Sequence, residues 1–201
     1  MIILGLGDGH PDSVPGAAER RMKSAGALYA PELTPELAAA LPARARPIGG
    51  DPPPDAVIVA PDPDAYELAA HFPEAETLPS REILRERAIG ARIAALVAVG
   101  SRLRHDCPWD RRQDLASIAP HTVDEAFEVA EAIAAGDREH IVDEVGDLLF
   151  QAVFFGQLLE EEGAADLGTI ADGQRRKLIS RHPHVYGEDV AASVSDVGDI
   201  W

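Results

Sequence analysis

Proline is unevenly distributed along this chain. Thirteen of its 16 prolines fall in residues 1–80, and only Pro108, Pro120 and Pro183 lie beyond. Proline fixes φ and lacks an N–H, so helix interiors exclude it. The first 80 residues therefore cannot carry a long helix, whereas the remainder can. Within 1–80, residues 1–6 and 55–60 are apolar runs that read as short buried strands, with a short helix expected near 19–25. Gly49-Gly50-Asp51-Pro52-Pro53-Pro54 reads as a loop or semi-rigid spacer. The expectation is a small α/β lobe over 1–80 followed by a mainly α domain over 81–201.

From Ser80 the apolar residues recur at helical spacing. Ile83, Ile89, Ile93, Leu96, Val97 and Leu103 predict a first long helix over about 81–104, with Ser80 as its N-cap. Cys107-Pro108-Trp109-Asp110 ends it, and Pro120 is read as closing a loop before a second helix over about 122–135. Gly136 suits a C-terminal cap and Asp137 an N-cap, so a third helix follows at once and runs to about Glu162. These two helices must form an antiparallel hairpin. A fourth helix is expected from about Thr169, with Asp172 as an acidic capping partner, stopping before Pro183. The third helix is apolar nearly all round, from Ile141 to Phe155, which predicts burial on several sides.

Charge narrows the function. Against 18 Lys and Arg stand 35 Asp and Glu, a formal net charge of −17 that repels nucleic-acid backbones and anionic lipid. An anionic substrate then needs divalent cations between itself and the protein. The single cysteine, Cys107, reads as an incidental thiol and, with no export signal or membrane span legible, points to a reducing cytoplasm.

Clustered carboxylates are accordingly the first chemistry to seek, and the hairpin carries them. Gly136 lies 8 residues from both Glu128 and Glu144, and 11 from both Glu125 and Asp147. At a rise of about 1.5 Å per residue, each matched pair stands at one height, roughly 12 and 16 Å from the bend. Within each helix the two acids are three apart and share a face. Four carboxylates turned inward make a hard-cation site for Mg²⁺ or Mn²⁺, whereas Zn²⁺ prefers His or Cys ligands, which the hairpin is read as lacking. Glu131, Glu139 and Asp143 read as solvated face residues. His105, His121 and His140 show no ligand spacing, and no Ser-His-Asp or Cys-His arrangement supports covalent catalysis.

Lys177 and Arg181, four apart near the end of the fourth helix, share a face that can hold phosphate oxygens or simply complement the helix C-terminus. Trp109, in the loop between helices, can stack on a base or cap the bundle core. His182-Pro183-His184 suits hydrogen bonding at a helix exit.

Cys107-Pro108-Trp109-Asp110 with Gln113, Asp124-Glu125-Ala126-Phe127-Glu128, Glu144-Val145-Gly146-Asp147-Leu148-Leu149-Phe150-Gln151, and Lys177 with Arg181-His182-Pro183-His184-Val185 together resemble the MazG-type nucleoside triphosphate pyrophosphohydrolases. The resemblance covers about residues 84–201. It implies an all-α bundle of four main helices, usually a homodimer, that uses Mg²⁺ to hydrolyse nucleoside triphosphates to monophosphate and pyrophosphate. It also implies Glu125, Glu128, Glu144 and Asp147 as the metal and catalytic residues. Trp109, Asp110, Gln113, Lys177 and Arg181 would then contact substrate. The family often has Glu where Asp124 stands, a change of little weight since Glu125 is the expected ligand, and often Thr followed by His or an aromatic where Asp114 and Leu115 stand, a change that bears on substrate preference.

The opening Met1-Ile2-Ile3-Leu4-Gly5-Leu6-Gly7-Asp8-Gly9 resembles the first strand and Gly-rich turn of tetrapyrrole methylases, here read as a shortened remnant without methyltransferase activity. Rival readings are a related phosphoribosyl-nucleotide pyrophosphohydrolase and a non-catalytic regulator that binds nucleotide or S-adenosylmethionine.

Overall fold

The continuous apolar run of the first strand fits a sheet buried on both faces. The computed structural model describes residues 1–9, 14–42 and 45–188, with Ser193 and Val197. It is mostly helical, with one small parallel sheet near the N-terminus, and it divides into two compact units, residues 1–95 and 96–201. No helix among the described residues is long and apolar enough to cross a membrane.

In the first unit, β1 (Ile2–Gly5), β2 (Leu28–Ala30), β3 (Ala45–Pro47), β4 (Val57–Ala60) and β5 (Glu76–Leu78) form one parallel sheet in the order β3-β2-β4-β1-β5. The register sets Ile3 beside Ile58 and Leu4 beside Val59. Successive side chains leave a strand on opposite faces. Leu4, Val57 and Val59 thus pack with α1 (Gly16–Ser24) and α2 (Pro35–Ala40), while Ile3 and Ile58 pack with α3 (Asp62–His71) and Leu84 at the start of α4 (Arg81–Asp106). The sequence reading anticipated β1 and β4 but missed β2, β3 and β5, each only three residues long and so without a readable period. It also missed α2 and α3, which are short and carry proline in their first turns, where its missing N–H costs nothing.

Two devices close this unit. The Asp62 carboxylate, 3% exposed, accepts the Gly7 N–H at 3.0 Å and meets Arg87 at 3.4 Å. A Cβ on Gly5 would stand only 2.3 Å from Asp62 Oδ1, so the strand comes this close because glycine has no side chain. The Arg81 guanidinium donates to the carbonyls of Ala69, Phe72, Pro73 and Ala75, gathering the turn between α3 and β5.

In the second unit, α4 ends at Asp106, and a single 3₁₀ turn (Asp110–Arg112) leads to α5 (Leu115–Ala135), α6 (Arg138–Glu161), α7 (Leu167–Arg181) and α8 (Pro183–Tyr186). Gly136 caps α5 at φ 73°, in the left-handed region that favours glycine, and Asp137 accepts the Glu139 and His140 N–H groups to start α6. A small core of Ile118, Phe154 and Leu158 is flanked by Leu115, Phe150 and Phe155. Gln157 Nε2 donates to Val97 O and Ser101 Oγ, tying α6 to the end of α4.

Three helix expectations are corrected. α5 begins at Leu115 rather than near 122, because Asp114 and Ser117 form a reciprocal capping box (both bonds 2.8 Å). Pro120 sits inside the second turn, where it forfeits one backbone bond without breaking the helix. α7 begins at Leu167 with Asp166 as its cap, bonded to the Thr169 N–H; Asp172 instead pairs with Arg175 and Arg176. Finally, the N-terminal half of α6 is not buried all round. Val142 is 74% exposed and Val145 and Leu149 are exposed as well, because the second unit packs on α6 mainly from Val153 to Leu158.

Candidate metal and nucleotide site

The hairpin aligns two polar rows. On α6, His140, Glu144, Asp147 and Gln151 recur at spacings of four, three and four, and on α5, Thr122, Glu125 and Glu128 recur at threes, so each row occupies one helix face. Single carboxylate oxygens of Glu125, Glu144 and Asp147 lie within 4.8 Å of one another. Glu128 stands outside this trio but touches Glu144. A hydrogen bond with Glu144 is the largest cause, followed by repulsion from it, that holds the Glu128 carboxyl above its usual range. Two acids in contact cannot both remain ionised at low cost, and either a shared proton or a cation relieves them.

Glu144 is the buried member of the set, at 8% exposure. Its Oε1 lies 2.7 Å from His140 Nε2, whereas its Oε2 is buried and has no hydrogen-bond partner. A buried carboxylate oxygen without a donor is costly. The donor set around it fits Mg²⁺ or Mn²⁺: it is all oxygen, and oxygens on opposite sides of Mg²⁺ stand about 4.2 Å apart, within the observed span. Glu125 Oε1 also receives Gln151 Nε2 at 3.5 Å, and Thr122 Oγ1 faces Gln151 Oε1 at 3.4 Å.

Comparison with known proteins finds similarity centred on the hairpin. Residues 113–186 match the MazG nucleotide pyrophosphohydrolase domain. Over 112 residues the chain is 43% identical to a nucleoside triphosphate pyrophosphohydrolase of Escherichia coli (strain K12), covering 54% of this chain and 43% of that protein. It is 36% identical over 107 residues to the nucleoside triphosphate pyrophosphohydrolase/pyrophosphatase MazG of Thermotoga maritima, covering 52% and 42%. An uncharacterized 26.1 kDa protein of Streptomyces cacaoi is 36% identical over 134 residues, covering 66% and 54%. The chain thus spans about half the length of the curated relatives it matches. The crystal structure of a mazG-related protein from Thermotoga maritima is similar at 24% identity and a TM-score of 0.48, covering 54% of this chain and 94% of that one.

All four expected acids lie within the MazG match, as do Gln113, Lys177 and Arg181; Trp109 and Asp110 lie just before it. Trp109 is half exposed and meets His121 edge to face at 5.9 Å. Gln113 Nε2 donates to Trp109 O at 3.0 Å, so this side chain shapes the loop. Asp110 is buried. Lys177 and Arg181 are exposed on the last turns of α7.

Sequence reasoning set aside two residues that the structure brings forward. His140 was read as scattered, yet it sits one turn before Glu144 and touches it; the i, i+4 spacing was the available signal. Arg104 received no role, yet its side chain, 12% exposed, forks onto Glu161, bonds the carbonyls of Asp110 and Gln113, and lies over the Phe154 ring at 5.5 Å. It fixes the path of the Trp109 loop. Contacts 57 residues apart leave no local signal.

Proposed function

We propose that this chain is a Mg²⁺-dependent nucleoside triphosphate pyrophosphohydrolase, with Mn²⁺ as a competent substitute, converting an NTP or dNTP to the monophosphate and pyrophosphate in nucleotide-pool housecleaning. The observation that carries this reading is the buried, unpartnered Oε2 of Glu144 among the oxygens of Glu125 and Asp147, within a segment matching the MazG domain. Glu125, Glu128, Glu144 and Asp147 would hold the cation, which when bound neutralises triphosphate charge and acidifies a water for attack on the α phosphorus. Glu125 or Glu128 takes the proton from the attacking water. Lys177 and Arg181 bind phosphate oxygens and meet the charge that develops on departing pyrophosphate. Trp109, with Asp110 and Gln113 shaping its loop, offers a face for the base.

The catalytic domain in this reading is a bundle of four main helices over 81–201, acting as a cytoplasmic homodimer without nucleic-acid or membrane partners. Exposed Phe127, at 67%, with Val142 and Val145 on the same hairpin, supports pairing with a second copy. Residues 1–80 are the shortened methylase-like lobe. Its Gly7 N–H is occupied by Asp62, which favours a remnant over a regulator that binds S-adenosylmethionine.

The test is pyrophosphate release from a panel of normal and damaged nucleoside triphosphates, with a phosphoribosyl nucleotide included, in Mg²⁺ and in EDTA. Metal-dependent release from triphosphates is expected. Release from the phosphoribosyl nucleotide alone, or turnover indifferent to EDTA, would sink the proposal.

A further inference from the structure

We propose that His140 is a positioning residue for the candidate metal centre: it holds one oxygen of Glu144, so that this carboxylate offers a cation only the other, which biases the site toward Mg²⁺ and Mn²⁺ and against Ca²⁺. The inference rests on the metal-dependent reading above.

Three observations carry it. His140 lies four residues before Glu144 on α6, with Nε2 at 2.7 Å from Oε1, within ion-pair distance. Glu144 is nine-tenths buried while the His140 ring is half exposed, so the imidazole closes the rim of a carboxylate that points inward. The second oxygen, Oε2, is buried without a partner. An ionised carboxylate only accepts, so the group facing Oε1 at this distance must be a protonated Nε2, and that oxygen is engaged by the imidazole.

The consequence concerns coordination number. Ca²⁺ takes six to eight oxygens and often both oxygens of one carboxylate, whereas Mg²⁺ demands near-octahedral geometry with short bonds. A Glu144 restricted to one oxygen supplies a vertex of an octahedron and denies Ca²⁺ a bidentate ligand. Partners that hydrogen-bond a ligating group set its orientation, and their loss typically weakens metal affinity about 10- to 100-fold. Gln151 stands in the corresponding place beside Glu125, at a longer 3.5 Å.

The full chain, freed of metal with EDTA, is titrated with Mn²⁺ and free Mn²⁺ is followed by electron paramagnetic resonance, with Ca²⁺ as competitor. His140→Ala is expected to raise the Mn²⁺ Kd about tenfold and to let Ca²⁺ compete more effectively. His140→Leu, which keeps bulk without a donor, should match it and serves if the alanine variant loses its helical circular dichroism. His140→Gln restores an N–H donor and should recover most of the affinity. Wild-type Mn²⁺ affinity and Ca²⁺ discrimination in the donor-less variants would overturn the proposal, as would a glutamine variant no better than alanine. The underlying metal reading fails differently: wild type and Glu144→Ala would then take up Mn²⁺ equally or not at all.

Discussion

Glu128 and Glu144 stand the same eight residues from Gly136 on the two arms of the α5–α6 hairpin, and their carboxyl groups meet. Like charges brought together this way are costly unless a shared proton or a cation relieves them. The neighbouring trio of Glu125, Glu144 and Asp147 gives that relief a place.

Metal should therefore stabilise the fold. Mg²⁺ or Mn²⁺ at a hundredfold excess over Kd adds about 2.7 kcal/mol to a protein that binds it only when folded. Differential scanning calorimetry should show a higher Tm with metal than in EDTA. Glu144→Ala should erase that shift and abolish pyrophosphate release while leaving circular dichroism near wild type. A metal-dependent Tm that survives in the variant would remove Glu144 from the site.

Lys177→Ala separates substrate holding from metal holding. A hydrogen bond to a charged group is worth about 1.5–3 kcal/mol, so losing one to phosphate should raise KM for the triphosphate roughly tenfold or more. The Mn²⁺ Kd should stay unchanged. Steady-state kinetics alongside metal titration reads both, and an unaltered KM would exclude the phosphate role.

Arg104→Ala should destabilise the second unit without touching the acids. It removes a mostly buried cation from Glu161 and strips donors from the carbonyls of Asp110 and Gln113. Asp110 O keeps the Gln113 N–H, so only the Gln113 carbonyl loses its donor; a buried carbonyl left unsatisfied costs about 1–3 kcal/mol, and a total loss of about that size is expected. Urea unfolding at unchanged m-value measures it. A loss below about 0.5 kcal/mol would mean that Glu161 and the loop do not depend on this guanidinium.

Acid should weaken the same unit in a definite window. Arg104 holds the Glu161 carboxyl below its usual range, chiefly through their hydrogen bond, and the Ser117 and Thr169 N–H groups do the same for Asp114 and Asp166. For a depressed carboxylate, the unfolded chain binds more protons than the folded one as pH falls. The stability is thus complete above the unfolded values near 4 and is lost as pH drops through the lower folded values. Urea midpoints between about pH 7 and 2.5 should fall mainly at the acid end, and Glu161→Gln should flatten that fall. An unchanged acid limb in this variant would contradict the pairing.

Much of the hairpin was legible because it depends on local rules. Gly136 and Asp137 mark a helix end and a helix start, and fixed rise per residue sets Glu128 level with Glu144 and Glu125 level with Asp147. Ser80 as the cap of α4 was equally local, with Ile83 N–H at 3.5 Å from its Oγ. The misplaced start of α5 followed from weighing Pro120 above the Asp114–Ser117 box, two local signals in conflict.

Sequence by itself determined that carboxylates would sit in register across a turn, since helix geometry repeats identically wherever a helix forms. Only the tertiary structure decided which of them are buried, that Glu144 keeps one oxygen for His140 and one without a partner, and that Arg104 anchors the Trp109 loop. It also decided the order of a sheet whose strands are too short to announce themselves. Rotational phase and long-range contact depend on how whole elements pack, and packing is settled by the sum of many weak contacts that no single stretch of chain encodes.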